Sequence, residues 1–175
     1  MKESGKLLTF IGTGDGKTTA ALGHAIRAAG HGKRVIVLHF MKGRRNIGEY
    51  KYFANNGERG IKVYLCGSPR FLVTIEDKWE HLVKAKESIK LAKKILAKNS
   101  CDLLILDEVL YAIKYGLIKE EDLLSLVKHR GNTHIILTGR EASKRIQKAS
   151  DIVTLMNEIK HHYNIDKTTI LGLDY

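Results

Sequence analysis

Short, almost continuous apolar runs alternate along the chain with longer stretches in which apolar residues recur every three or four positions. The runs predict strands at residues 7–11, 34–40, 61–65, 103–106, 134–138 and 152–156. Strands that are apolar on both faces are typical of a parallel sheet with helices on both sides. The pattern therefore predicts an α/β fold with a doubly wound, mostly parallel sheet. Because no linker or repeat interrupts it, we expect one domain over residues 1–175.

Two segments lead to narrower expectations. The longest predicted helix covers residues 76–98, and its apolar positions are expected to face the core: Trp79, Leu82, Val83, Ile89, Ala92 and Leu96. Residues 170–175 predict a short edge strand. His161 and His162 lie between these two segments. They are neighbours in sequence, and neighbouring histidines seldom bind the same metal ion. We expect these two imidazoles to be solvent-facing or hydrogen-bonded.

A glycine-rich segment follows the first predicted strand and leads directly into a predicted helix. Glycines let backbone N–H groups curl towards phosphate oxygens, and the helix start adds the positive end of its dipole. Lys17 would reach the outer phosphates, and the Thr18 hydroxyl would ligate Mg²⁺. The predicted nucleotide-binding residues are Gly12, Thr13, Gly14, Asp15, Gly16, Lys17, Thr18 and Thr19.

The glycine spacing of this segment is unusual. The common motif G-x-x-x-x-G-K-[ST] would have its first glycine at position 11, but this chain has Ile11 there and a glycine at Gly12. The segment is therefore a variant phosphate loop. The alternative is a glycine-rich turn that binds no ligand.

Two acidic residues end the predicted central strand, in the run Leu-Leu-Ile-Leu-Asp107-Glu108. In phosphate-loop proteins an acid at this point faces the loop and holds the metal ion, so Asp107 and Glu108 are predicted to bind Mg²⁺ (or Mn²⁺) together with Thr18. Side chains alternate along a strand, so the two carboxylates are expected to point in different directions and to differ in role. Lys42, Arg44 and Arg45 follow the second strand at the ligand-binding edge and are candidate anion contacts or surface charges.

The chain carries a formal net charge of +11, which favours anionic partners. No nucleic-acid-binding module or interleaved aromatic platform accompanies the charge, so we expect no nucleic-acid partner. No stretch of the sequence is long and apolar enough to span a membrane. With two widely spaced cysteines and no signal peptide, the expected location is the cytoplasm.

Four segments, in order, resemble the ATP:corrinoid adenosyltransferases of the phosphate-loop type. The segment "GTGDGKTTAALGHAIRAAGHGKRVIVLHFMKG" is similar to the start of that family, whose loop G-N-G-K-G-K-T-T-A-A has the same displaced glycine. "LLILDEVLYAIKYGLI" is similar to its L-D-E-x-x-Y segment, which brings Tyr111 into register. "HIILTGREASKRIQKASDIVTLMNEIKH" is similar to its T-G-R and K-H segments, and "GLDY" to its G-I-D-Y ending.

The resemblance implies a RecA-like phosphate-loop fold and a group transfer. Reduced corrinoid, Co(I), would attack the 5′ carbon of ATP and triphosphate would leave; the family binds ATP reversed relative to hydrolases. ATP and the corrinoid are then substrates, with Mg²⁺ as cofactor, a flavoprotein as reductant and a homodimer as the usual assembly. The implied catalytic residues are Lys17, Thr18 and Glu108, and Arg27 and Arg140 match family positions for the nucleotide.

Corrinoid contacts are implied at Phe71, Lys42 and Tyr111. The chain departs from the family where the aromatic motif G-F-T-W covers the corrinoid, since residues 67–73 read G-S-P-R-F-L-V without Trp. Strand one also begins within the first ten residues, where enterobacterial members carry an arm, and Asp15 replaces a loop lysine. The alternative function is an ATPase or phosphotransferase on the same scaffold, in which Glu108 would act as base or orient water.

Overall fold

The computed structural model describes residues 4–55, 60–70 and 74–174 of the chain. Within these residues one sheet is built from β1 (Leu7–Ile11), β2 (Val35–His39), β3 (Ile61–Leu65), β4 (Leu103–Asp107), β5 (His134–Thr138) and β6 (Ile152–Leu155). All neighbouring strands are parallel, and their order is β3-β2-β4-β5-β1-β6. The predicted α/β class and parallel sheet are confirmed, with strand bounds within a residue or so of those expected.

Helices cover both faces of the sheet, so the described part of the chain has two hydrophobic cores. The helices are α1 (Lys17–Gly30), α2 (Gly48–Asn55), α3 (Ile75–Ala97), α4 (Val109–Lys114), α5 (Glu120–Lys128), α6 (Lys144–Ala149) and α7 (Tyr163–Asp166). One core packs side chains of α1 and α2 against the sheet, and the other packs side chains of α3 to α6. Leu104 and Ile105 are adjacent in β4 but lie in different cores, because side chains alternate along a strand.

The prediction that Trp79 and Val83 pack in the core is wrong, because the two residues are 68 % and 37 % exposed. The first turns of α3 bury polar groups instead. Thr74 and Asp77 form a reciprocal capping box, and the buried His81 bonds through Nε2 to the carbonyl of Arg70, at 3.0 Å. These polar contacts turn Asp77 and His81 inward, and Trp79 lies on the opposite side of the helix.

The prediction of a C-terminal edge strand is also wrong. Residues 167–170 are irregular after the short helix α7 and residues 171–174 form a turn, which Asp174 closes by accepting the N–H of Ile170 at 2.7 Å. This bond pulls the chain into a compact turn, which cannot extend along β6. Residue 175 lies outside the described residues. No helix in the described ranges is long and apolar enough to cross a membrane.

The parallel arrangement places the carboxyl ends of all six strands at one edge of the sheet. The loops after β1, β2, β4 and β5 therefore lie next to each other, since β1 neighbours β5, β5 neighbours β4 and β4 neighbours β2. Ligands of open parallel sheets bind at this edge. The glycine loop and the Asp107-Glu108 pair both lie there.

Candidate active site

The glycine loop has a backbone that side chains would not permit. Gly12 and Gly16 have φ angles of 126° and 97°, in the region that favours glycine. A Cβ on Gly12 would come within 2.1 Å of the Met156 carbonyl oxygen. The N–H of Gly12 donates to the carbonyl of Arg140 at 2.8 Å, and that of Gly14 to the carbonyl of Met156 at 2.9 Å. The displaced glycine is therefore required for the loop to pack on the chain after β5 and β6.

The start of α1 has the geometry that favours an anion. Gly16 precedes the helix and has no side chain to cap it, so the first N–H groups of α1 point outward with the positive end of the helix dipole. The Lys17 ammonium lies beside them and donates to the carbonyl of Gly14. Burial lowers the pKa of Lys17, and the positive charge of Arg140 lowers it further, against the opposing effect of Asp15.

Asp107 is a buried hydrogen-bond acceptor behind the loop. Its Oδ1 accepts the hydroxyls of Thr18 at 2.8 Å and of Thr138 at 2.7 Å, and its Oδ2 lies 2.7 Å from Nδ1 of His39. Both His39 and Asp107 are almost completely buried. Asp107 thus ties the helix that follows the glycine loop to the ends of β2 and β5.

Two charged side chains complete the wall beside Asp107. Lys42 Nζ lies 3.3 Å from Oδ2 of Asp107 and 3.0 Å from Oε1 of Glu49. Burial alone would lower the pKa of Lys42, but Asp107, Glu108 and Glu49 raise it above its ordinary value. Burial likewise opposes ionisation of Asp107, but the His39 hydrogen bond and the Lys42 charge hold the pKa of Asp107 well below its usual range.

Glu108 differs from Asp107 in the direction of its side chain and in the direction of its pKa shift. It occupies the left-handed region with φ of 60°, and its N–H donates to Oγ1 of Thr138 at 2.8 Å. A positive φ is uncommon for glutamate and is typical of functional sites. Burial and the adjacent Asp107 carboxylate raise the pKa of Glu108. As expected, the two carboxylates point in different directions: Asp107 is enclosed, and Glu108 faces a cavity.

That cavity has a volume of about 500 Å³. It is lined by Asp15, Lys17, Thr18, Thr19, Leu22, Lys42, Gly48, Glu49, Glu108, Tyr111, Thr138, Gly139, Gly172, Leu173 and Asp174. The volume lies in the range of small-molecule sites. The structure therefore brings part of the loop together with Glu108 and with two of the residues assigned to the corrinoid, Lys42 and Tyr111. The loop residues that line the cavity are Asp15, Lys17, Thr18 and Thr19, whereas Gly12, Thr13, Gly14 and Gly16 are not among the lining residues.

Four other predicted residues have different placements. Arg27 does not line the cavity: it lies in the last turn of α1, ten residues and roughly 15 Å along the helix from Lys17, so its contact with the nucleotide stays a prediction. Arg140 directly follows Gly139 of the cavity wall, and its carbonyl holds the loop at Gly12. Phe71 lies outside the described residues. Arg44 donates to the carbonyl of Pro69 at 2.9 Å.

The structure adds site residues that the motifs did not indicate: His39, Glu49, Thr138 and the C-terminal turn at Gly172–Asp174. The turn is held by Nε2 of His162, which lies 3.2 Å from Oδ2 of Asp174. His161 accepts the N–H of Tyr163 through Nδ1 at 3.1 Å. Both imidazoles are thus hydrogen-bonded, as expected. The only sequence signal for this turn was the resemblance of the last four residues to the family ending.

Comparison with known proteins adds to this geometry. The family model described as ATP:corrinoid adenosyltransferase BtuR/CobO/CobP matches residues 3–175. The chain belongs to this family. The corrinoid adenosyltransferase of Escherichia coli K12 is 32 % identical over 99 % of this chain and 87 % of its own length. That of Pseudomonas aeruginosa is 32 % identical over 99 % and 85 %.

A solved structure supports the fold of this family member. The KaiC-like protein PH0186 from Pyrococcus horikoshii superposes with a TM-score of 0.53 at 17 % identity, over 93 % of this chain and 74 % of that protein. At this identity the similarity shows the fold alone. The expected RecA-like phosphate-loop architecture is confirmed.

Proposed function

We propose that this protein transfers the 5′-deoxyadenosyl group of ATP to the Co(I) of a corrinoid and releases triphosphate. The observation that carries the proposal is the cavity in which the displaced-glycine loop, Glu108 and Tyr111 meet, in a chain that belongs to the adenosyltransferase family. The loop would hold the triphosphate, and Lys42 and Tyr111 would lie on the side from which the corrinoid approaches.

The reaction needs a good leaving group more than it needs a base. Co(I) supplies the electron pair that forms the Co–C bond, the C5′–O5′ bond breaks, and its electrons leave with the triphosphate while cobalt becomes Co(III). No proton is removed from either reactant. Charge that develops on the leaving oxygen would be stabilised by the outward N–H groups of α1 and by the Lys17 ammonium. Two substrates held in one cavity also gain from fixed orientation.

Magnesium is the cation that the donor set fits best. The Thr18 hydroxyl and the Glu108 carboxylate face the cavity, and both offer the hard oxygen atoms that Mg²⁺ prefers. Both Asp107 oxygens already contact Thr18, Thr138, His39 or Lys42, so in this proposal Asp107 orients Thr18 and binds the ion through water. The bound ion would neutralise charge on the departing triphosphate.

A second candidate function is ATP hydrolysis or phosphotransfer. The observation in its favour is Glu108, which faces the cavity and has a raised pKa, as a residue that takes a proton from water or from a hydroxyl would need. Such an enzyme would split ATP at a phosphorus atom and would need no corrinoid.

The partners of the enzyme follow from the same proposal. Formation of Co(I) requires a strong reductant, and we infer a flavoprotein in the cytoplasm for this role. A homodimer is supported by the outer strand β6, whose exposed side chains are apolar: Ile152, Val153 and Leu155. An apolar edge strand offers a surface for pairing with a second copy.

Product analysis separates the two functions. The protein would be incubated with ATP, Mg²⁺ and chemically reduced cobalamin under anaerobic conditions. We expect intact triphosphate and a light-sensitive alkylcobalt product, identified by its spectrum, in equal molar amounts. Lys17→Ala is expected to abolish both products, whereas Lys148→Ala, an exposed cation of α6 outside the cavity, should retain them. Formation of ADP and phosphate without cobalamin would refute the transfer and favour hydrolysis.

A further inference from the structure

The only tryptophan of the chain is exposed on the surface of α3. Trp79 is 68 % exposed, and Ile75, one helical turn earlier, is 85 % exposed. The two residues are four positions apart and so lie on one face of the helix. We call Ile75 and Trp79 the α3 stripe. A large aromatic side chain left in water beside a second apolar one typically marks a binding surface.

The α3 stripe lies at the same sheet edge as the candidate active site. Helix α3 follows β3, so its first turns lie at the carboxyl edge, and the carboxyl end of β3 is two strand spacings, roughly 10 Å, from that of β4. The loop after β3 also contacts the loop that carries Lys42. A Cβ on Gly43 would approach the Gly67 carbonyl oxygen to 2.4 Å, so the two loops pack backbone to backbone.

The stripe continues a helix face that borders the segment just after α4, the helix whose Tyr111 lines the cavity. Leu82 and Lys86 continue the line of Ile75 and Trp79 along the helix, and both line a groove whose other wall includes Leu117 and Ile118, just after α4. The α3 stripe therefore extends the α3 wall of this groove to the carboxyl edge of the sheet.

We propose that the α3 stripe is the surface on which the corrin macrocycle of the second substrate packs, between the first turns of α3 and α4. The inference rests on the proposed adenosyl transfer. A corrin ring is wide, flat and apolar on its faces, and it must present its cobalt to a cavity that already holds ATP. A flat indole at the same sheet edge as that cavity provides the matching surface, with Ile75 beside it and Tyr111 as the aromatic ring of the cavity wall.

The single tryptophan makes binding directly measurable. Hydroxocobalamin would be titrated into the wild-type protein with ATP and Mg²⁺ present, with N-acetyltryptophanamide as the correction for light absorbed by the corrinoid. We expect saturable quenching of Trp79 fluorescence beyond that of the free amide. Quenching equal to that of the free amide would overturn the inference, whether or not the enzyme turns over.

Variants test whether Trp79 contributes to affinity. For Trp79→Ala we expect the corrinoid KM, and the Kd from equilibrium dialysis with hydroxocobalamin, to rise about tenfold or more, with the KM for ATP unchanged. Trp79→Phe should recover most of the loss. Ile26→Ala, an apolar residue of α1 that is 58 % exposed, is the matched control and should bind like wild type.

The outcomes distinguish this inference from the proposed function. An unchanged corrinoid KM and Kd in Trp79→Ala, with wild-type product formation, would overturn the inference and leave adenosyl transfer intact. A loss of dimer mass in Trp79→Ala would assign the stripe to a subunit contact and would also overturn it. Absence of alkylcobalt product in wild type would refute the transfer itself. Saturable quenching together with weaker binding by Trp79→Ala would still support the stripe as a corrinoid surface.

Discussion

The two carboxylate oxygens of Asp107 contact four side chains, and one of these is His39 at the end of β2. Residues 39 and 107 are directly opposite each other in the parallel register of β2 and β4. Nδ1 of His39 and Oδ2 of Asp107 are 2.7 Å apart, while Nε2 of His39 is buried and has no hydrogen-bond partner among the described residues. His39 therefore acts on the site through Asp107, which in turn orients the Thr18 hydroxyl.

Substitution of His39 tests this arrangement. Loss of a hydrogen bond to a buried carboxylate costs roughly 1.5–3 kcal/mol, so His39→Leu is expected to weaken Mg²⁺-dependent ATP binding by about tenfold or more and to lower the free energy of unfolding. His39→Asn places an amide N–H near the position of Nδ1 and should recover part of both losses. Calorimetric titration with ATP and urea unfolding measure the two effects. A stability loss with unchanged ATP affinity would show a purely structural role.

Residues within contiguous motifs were predictable, and those that meet across the sheet were not. Lys17, Thr18 and Glu108 line the cavity as expected, because short runs of sequence carry their chemistry. His39 gave no such signal, because its contact with Asp107 depends on the register between two strands 68 residues apart in sequence. Arg27 was placed by family resemblance alone, and its position ten residues into α1 carries it away from the cavity.

At the scale of elements, the amino edge of the sheet is held by an ion pair between neighbouring strands. Asp102 precedes β4 and accepts the backbone N–H of Arg34, just before β2, at 2.8 Å, together with the Nε and Nη2 groups of its guanidinium. The guanidinium hydrogen bonds lower the pKa of Asp102 most, followed by the Arg34 N–H, and bring it to about 2. The pair joins two strands whose other ends carry His39 and Asp107.

This lowered pKa predicts a pH-dependent contribution to stability. The folded-state pKa of about 2 lies below the unfolded value of about 3.9, so the stabilisation is complete above about pH 4 and is lost as the pH falls towards 2. Because the Asp102 side chain is 38 % exposed, solvent screening limits the effect to about 1 kcal/mol. Urea unfolding of wild type and Asp102→Asn should differ by this amount at pH 6, and the difference should shrink steadily as the pH falls from about 4 through 2. A difference independent of pH would exclude the ion pair as its cause.

Helical periodicity predicted the extent of α3 but not the face that its first turns bury. The pattern was correct from residue 85 onward, where Ile89, Ala92 and Leu96 lie in the core. At the start of the helix, capping and the bond from His81 to the preceding loop decide its orientation. Such polar contacts carry no apolar signal in the sequence, so they expose Trp79 against the pattern.

At the scale of the whole molecule, the net charge and the unpaired edge of the sheet affect how the protein meets its ligands and partners. The net charge of +11 would attract ATP, which is a polyanion, and the carboxyl edge gathers Lys17, Lys42 and Arg140 near the cavity. At the far side of the sheet, β6 leaves one edge unpaired among the described strands, with apolar side chains in water. Natural proteins usually protect such edges with charge or with a partner.

The predicted homodimer can be checked by mass. Sedimentation equilibrium of the wild-type protein should give twice 19.7 kDa, about 39 kDa. Val153→Lys places a charge on β6 and is expected to yield a monomer, while Tyr64→Lys, on the opposite edge strand β3, should leave the dimer intact. A wild-type mass of 19.7 kDa at tens of micromolar would contradict the homodimer.

The proposed reaction breaks the bond between C5′ and O5′ of ATP and leaves the triphosphate whole. ATP labelled with ¹⁸O at the 5′ oxygen tests this most directly, since hydrolysis or phosphotransfer would break a bond at phosphorus. After reaction with reduced cobalamin, mass spectrometry should find the label entirely in the triphosphate and none in the adenosyl product. Label retained on adenosine or on ADP, with phosphate as the other product, would contradict the role of the glycine loop as the site that holds the leaving group.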